Sequence, residues 1–180
     1  MLTQEINIKK DISLNVAQST GLGYAQIKKI ALHMNNNLGL RELKEFNLII
    51  TEMGGEIIRN SDEFNNPNVN YLEFYKNGTF KVVFPEELSV QLERFLLDQI
   101  LGYFVLHAKR GASPCYLHKM GDDLVELEGF WFASSLLIDD ELIIKRIYEG
   151  KSLKELSNEF DVPEFAIKGK CKILETLYLK

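Results

Sequence analysis

Apolar side chains recur every three or four positions in some stretches of this chain and every second position in others. The two rhythms predict its elements. Over 24–36 (YAQIKKIALHMNN), Ile27, Ile30, Ala31 and Met34 share one helical face. Over 41–53 (RELKEFNLIITEM) a second helix is predicted, closing at Gly54-Gly55, where glycine supplies a left-handed cap. Its β-prone run from Phe46 to Thr51 leaves a strand open at that point. EIIR at 56–59 reads as a first strand. YLEFY at 71–75 and TFKVVF at 79–84 flank Lys76-Asn77-Gly78, and Asn-Gly between apolar runs favours a tight hairpin because both residues tolerate positive φ. Pro85 stops the second of these strands.

The pattern turns helical after Pro85. A central helix is predicted from near Glu87 to about His107, a largely buried one over 124–138, and another over about 140–149, ending at Gly150. Ser152 with Glu155 forms a capping-box pair for the next helix, and Pro163 opens the last one. Ser61 to Asn70 and 108–123 read as loops, and residues 1–20, which show no clear period, as an arm or short element. The whole predicts an α+β fold: a small antiparallel sheet with a hairpin, packed on the central helix, and a mostly helical C-terminal half. Residues 1–150 are expected to form the main domain and 151–180 a helical pair of helix-turn-helix length.

Composition narrows the function classes. With 46% apolar residues in 180, the chain can build a real core. A net charge of -5 and a pI near 5.3 argue against a general nucleic-acid binder. Two cysteines, Cys115 and Cys171, make no disulfide framework, no signal peptide is evident, and no apolar run approaches the length of a membrane span. A reduced, cytoplasmic setting is expected.

The chemistry concentrates at 94–107, RFLLDQILGYFVLH. This stretch resembles the active-site helix of the ImmA/IrrE family of bacterial zinc metallopeptidases, which carries His-Glu-x-x-His after Arg-Phe and before Leu-His. Arg94, Phe95, Leu101, Gly102, Leu106 and His107 fall where that pattern expects them. Gln99 stands for the first zinc histidine, Ile100 for the general-base glutamate and Tyr103 for the second histidine. Two histidines four apart reach one zinc ion from one helix face, and the glutamate takes a proton from the zinc-bound water. An amide oxygen is a poor zinc ligand, a phenol titrates near pH ~10, and isoleucine accepts no proton. No catalytic residue and no bound metal is therefore expected.

A second landmark lies at 126–138, ELEGFWFASSLLI, which resembles the family's Glu-Ala-Asn-x-Phe-Ala-x-x-Leu-Leu-Met-Pro signature. On this alignment Glu128 matches the third zinc ligand, Gly129 and Phe130 replace Ala-Asn, Phe132, Ala133, Leu136 and Leu137 match, and Ile138-Asp139 replaces Met-Pro. The tail LKELSNEFDVPEFAIKGKCKIL resembles the family's closing helix pair, with its Phe-x-Val turn at Phe160 to Val162. The resemblance spans about 40–175. It implies a zincin-like scaffold with a vestigial cleft lined by Gln99, Ile100, Tyr103, His107 and Glu128.

What such a scaffold does follows from the resemblance. Intact members act on helix-turn-helix repressors of mobile elements or stress genes, so a member without the zinc site implies a regulator that binds such a repressor, of a phage or mobile element, without cutting it. Its docking site is expected beside an edge strand through Thr79, Lys81 and Val83, with Trp131 as an anchor, by strand addition. Two alternatives stay open. His107, Cys115, His118 and Glu128 offer metal-ligand types for a substituted hydrolytic site. Lys168, Lys170 and Lys172 give the last helix a basic edge for DNA, although 141–180 carry eight basic against seven acidic residues.

Overall fold

A computed structural model describes residues 15–16, 19–38, 43–62, 72–75, 78–108, 115–117 and 123–178. Its strands are β1 (Asn15–Val16), β2 (Gly55–Arg59), β3 (Leu72–Phe74), β4 (Phe80–Phe84) and β5 (Cys115–Leu117). Its helices are α1 (Tyr24–Leu38), α2 (Leu43–Glu52), α3 (Val90–Tyr103), α4 (Asp123–Leu137), α5 (Asp140–Tyr148), α6 (Leu153–Phe160) and α7 (Glu164–Tyr178). The α+β class and the helical C-terminal half are as expected. The run Phe46 to Thr51 is helical, and Gly54 follows at φ +84°.

The sheet is mixed rather than antiparallel, with strand order β1-β5-β3-β4-β2. β3 and β4 form the expected hairpin, in register Leu72↔Val82, Glu73↔Lys81 and Phe74↔Phe80. Gly78 takes φ +82°, which a side chain would resist, whereas Lys76 and Asn77 lie outside the described residues. β2 runs parallel to β4, and β1 parallel to β5. The strand Cys115–Leu117 falls inside the Gly- and Pro-rich stretch read as a loop. Pairing with β3 makes it a strand there, and its own pattern of three residues is too short to show a period.

Two cores meet along α3 and α4. One lies between the sheet and the helices and holds Ile27, Ile50, Leu72, Val82, Leu97, Leu101 and Phe132. The other joins Phe95 and Ala133 to Ile143, Leu156, Val162, Ile167 and Leu174. It draws on both sides of residue 150. The Ser152–Glu155 capping box is present, and α6 ends on Asp161 in the left-handed region before Pro163. Arg94 reaches that turn, 3.4 Å from Asp161.

α1, α5 and α7 are joined by a buried polar knot. Asp140 accepts from the Tyr24 hydroxyl at 2.9 Å and from Lys28 at 2.8 Å, and Lys170, with no exposed surface, donates to Tyr24 and pairs with the same carboxylate. Burial works against the Asp140 charge, but hydrogen bonds from Lys170 and Lys28 outweigh it and hold the carboxyl below its usual range. Among the described residues no helix is long and apolar enough to cross a membrane.

Candidate functional site

The site lies where α3 and α4 press together. Two glycines allow the approach: a Cβ on Gly102 would stand 2.8 Å from that of Phe132, and one on Gly129 would stand 2.2 Å from the Tyr103 ring. Gln99 and Tyr103 are four apart on α3 and present one flank. The Gln99 amide donates to the Tyr103 hydroxyl at 2.8 Å, and that hydroxyl donates to Glu126 Oε2 at 3.1 Å. The amide nitrogen also lies 3.5 Å from the same carboxylate oxygen. Tyr103 is fully buried, while Gln99 and Glu126 are half-buried. Ile100 packs in the first core.

The carboxylate facing Gln99 and Tyr103 is thus Glu126, not Glu128. Two residues apart on a helix means about 200° of rotation, so only one of the pair can point into the cluster. Gly129 meets Tyr103, and the residue one turn before Gly129 on the same flank is Glu126.

Glu128 turns instead toward the N-terminal segment. It is buried, and its carboxylate accepts from the Ser19 hydroxyl at 2.7 Å, the Thr20 hydroxyl at 2.8 Å, the Thr20 amide at 2.9 Å and the Gly21 amide at 3.2 Å. His107 Nε2 lies 3.4 Å from its other oxygen. His107 sits in a π turn, Phe104–Ala108, that continues α3. The vestigial cleft expected as one group of five is therefore two clusters, Gln99–Tyr103–Glu126 and His107–Glu128, with Ile100 in the core. The strap at Ser19–Gly21 carried no sequence signal, since residues 1–20 show no period.

The donor set at 99, 103 and 126 does not fit zinc. A tetrahedral site needs lone pairs converging on the ion. Here the amide turns its N–H groups into the cluster, and the phenol donates its proton to the single carboxylate. Among the described residues no group of three or more His, Cys, Asp and Glu is placed to hold a metal ion. Of the alternative ligand set, His107 and Glu128 come together, while the Cys115 side chain and His118 lie outside the described residues.

Next to Gln99, Asp98 is fully buried, with neither carboxylate oxygen hydrogen-bonded. Burial pushes its carboxyl well above the usual range, and the nearby Arg94 charge only partly opposes this.

The expected docking strand is corrected by the topology. β4 is bonded to β3 on one side and β2 on the other, so its backbone has no side left for an added strand. Val83 is fully buried, Lys81 is half-buried, and Thr79 is exposed beside the hairpin. Trp131 is half-buried, with its ring edge-on to Tyr24 at 6.2 Å. Its neighbours point elsewhere, Phe132 into the first core and Phe130 against Phe95. The basic edge is corrected too. Lys168 and Lys172 are exposed, but Lys170 is spent inside the knot with Asp140.

A family model described as the IrrE N-terminal-like domain, a peptidase family, matches residues 70–172, more than half of the chain. The chain belongs to this family. No curated protein and no solved structure matches it.

Proposed function

We propose that this chain is a catalytically inactive member of the IrrE N-terminal-like family that works by binding a protein partner. The observation that carries this reading is the Gln99–Tyr103–Glu126 cluster. Each member satisfies another, and the Tyr103 ring fills the space that a Cβ on residue 129 would need. The pocket is repacked as core rather than left open. Ile100 offers no proton acceptor where the general base would stand.

Without bond cleavage the protein acts by occupancy, so its effect is stoichiometric and reversible. The partner class that the family resemblance points to is a helix-turn-helix repressor, of a phage or other mobile element. Strand addition at β4 is closed. Among the described residues the flank of β2 that faces away from β4 is the sheet edge next to the hairpin, and Gly55–Arg59 takes its place as the docking strand. The test mixes the purified chain with candidate helix-turn-helix repressors and follows them by size-exclusion chromatography and mass spectrometry. A complex holding the repressor at full length is expected. Recovery of cleaved repressor overturns the reading.

A further inference from the structure

The three C-terminal helices carry apolar side chains that their own core does not use. Leu156, Val162, Ala166, Ile167 and Leu174 close that core. Outside it, Ile147 is 42% exposed, Leu153 42% and Phe165 50%, and the three line one groove where α5, α6 and α7 meet. Phe165 leans on Phe95 with its rings edge to face at 5.3 Å, leaving its outer face open. Lone exposed apolar residues are ordinary, but three in one groove mark an interaction surface.

The rim decides what fits. Lys151, Lys168 and Lys172 border the groove against the single acidic Glu175. Lys168 and Lys172 are exposed one turn apart on α7, and Lys151 shares its charge with Glu155 at 3.2 Å. A cationic rim on a chain whose net charge is -5 is a local reversal of sign, and it selects an acidic partner. Helix surfaces offer no unpaired backbone for strand addition, so the guest must satisfy its own backbone. Phe165 is the one aromatic ring in the groove, between the aliphatic Ile147 and Leu153, so the row of rings on which successive bases stack is missing from its lining, which disfavours nucleic acid.

We infer that the groove between α5, α6 and α7 binds an acidic amphipathic helix of a protein partner. Its apolar face covers Ile147, Leu153 and Phe165, and its carboxylates meet Lys168 and Lys172. This surface does not depend on the state of Gln99, Tyr103 or Glu126.

The test selects helix-forming peptides about four turns long from a randomised display library against the full chain. Enriched peptides are expected to pair acidic residues with apolar positions at i, i+3 and i+7. In the wild-type protein they should shift the NMR signals of Ile147, Leu153 and Phe165. Their affinity should fall about tenfold in the Lys168→Glu/Lys172→Glu variant and in Leu153→Ser, with melting unchanged. Absence of enrichment, enrichment without acidic bias, or shifts elsewhere overturns the inference. So does salt-sensitive binding of duplex DNA that disappears in the same lysine variant, because it gives the rim to phosphate.

Discussion

The ring of Tyr103 occupies the space above Gly129 so closely that a Cβ there would lie 2.2 Å from ring carbon Cε1. In the family signature that this stretch resembles, an alanine stands at the glycine position and a histidine at the tyrosine position. The two departures fit each other: the larger ring is housed because the opposing methyl is gone. A pocket that had merely lost its ligands would show no such match.

That pairing predicts a change of sign. In an uncrowded helix, Gly→Ala gains up to about 1 kcal/mol from propensity. Here Gly129→Ala drives a methyl into a fully buried ring, and overpacking costs about 1–3 kcal/mol, so the clash wins and the protein is destabilised. In a Tyr103→His background the same substitution should become neutral or stabilising. Urea midpoints of the four proteins of the cycle check it, and an equal effect in both backgrounds would rule the coupling out.

Asp98 gives a pH signature. Burial raises its carboxyl above its ordinary value of 3.8, so from about that pH upward the unfolded chain releases a proton that the folded chain keeps. Stability contributed by this group is greatest below the unfolded pKa and falls as pH rises toward the folded one, by at most about 1.4 kcal/mol per pH unit. Asp98→Asn removes that slope. Guanidinium unfolding between pH 4 and pH 7 should show the variant gaining on the wild type as pH rises. Parallel curves would show that Asp98 keeps its charge inside the fold.

The knot around Asp140 behaves in the opposite sense. Its carboxyl is held below the usual range, so its contribution is present above the unfolded pKa and is lost as pH falls through the folded value. Lys170→Ala leaves a buried carboxylate with Lys28 and Tyr24 alone, and breaking a buried pair costs about 3–5 kcal/mol. Lys168→Ala, on the exposed face of the same helix, should stay within about 0.5 kcal/mol. Thermal melts of the two variants separate the roles, and equal losses would contradict the burial of Lys170.

Much of this was legible in the chain. The hairpin, the central helix, the capping box at Ser152 and the closing helix pair all follow from local period and caps. What escaped depends on how elements meet. A strand's own residues do not say that β2 lies beyond β4, because parallel pairing joins segments distant in sequence. Glu126 and Glu128 are indistinguishable until the approach of α3 fixes which side of α4 faces Gln99. Lys170 reads as surface among its lysine neighbours, and only Asp140 and Tyr24 from other helices draw it inside. The Ser19–Gly21 strap is a set of backbone and hydroxyl donors with no period to detect.

Installing the family's zinc-binding groups tests which carboxylate completes a metal site with them. Gln99→His, Ile100→Glu and Tyr103→His together place two histidines one turn apart, facing Glu126. The triple variant is expected to bind zinc. Adding Glu126→Gln should weaken that binding about 10- to 100-fold, whereas adding Glu128→Gln should leave it nearly unchanged. Competition with a zinc chelator reads both. Loss of zinc through Glu128 rather than Glu126 would return the ligand role to Glu128.

The most direct measurement is the zinc content of the wild-type protein after equilibration with the metal and removal of excess, read by plasma mass spectrometry. An amide, a phenol and one carboxylate that already bond one another should retain no more zinc than the buffer blank. One tightly held zinc per chain, displaced by Glu126→Gln, would contradict the account.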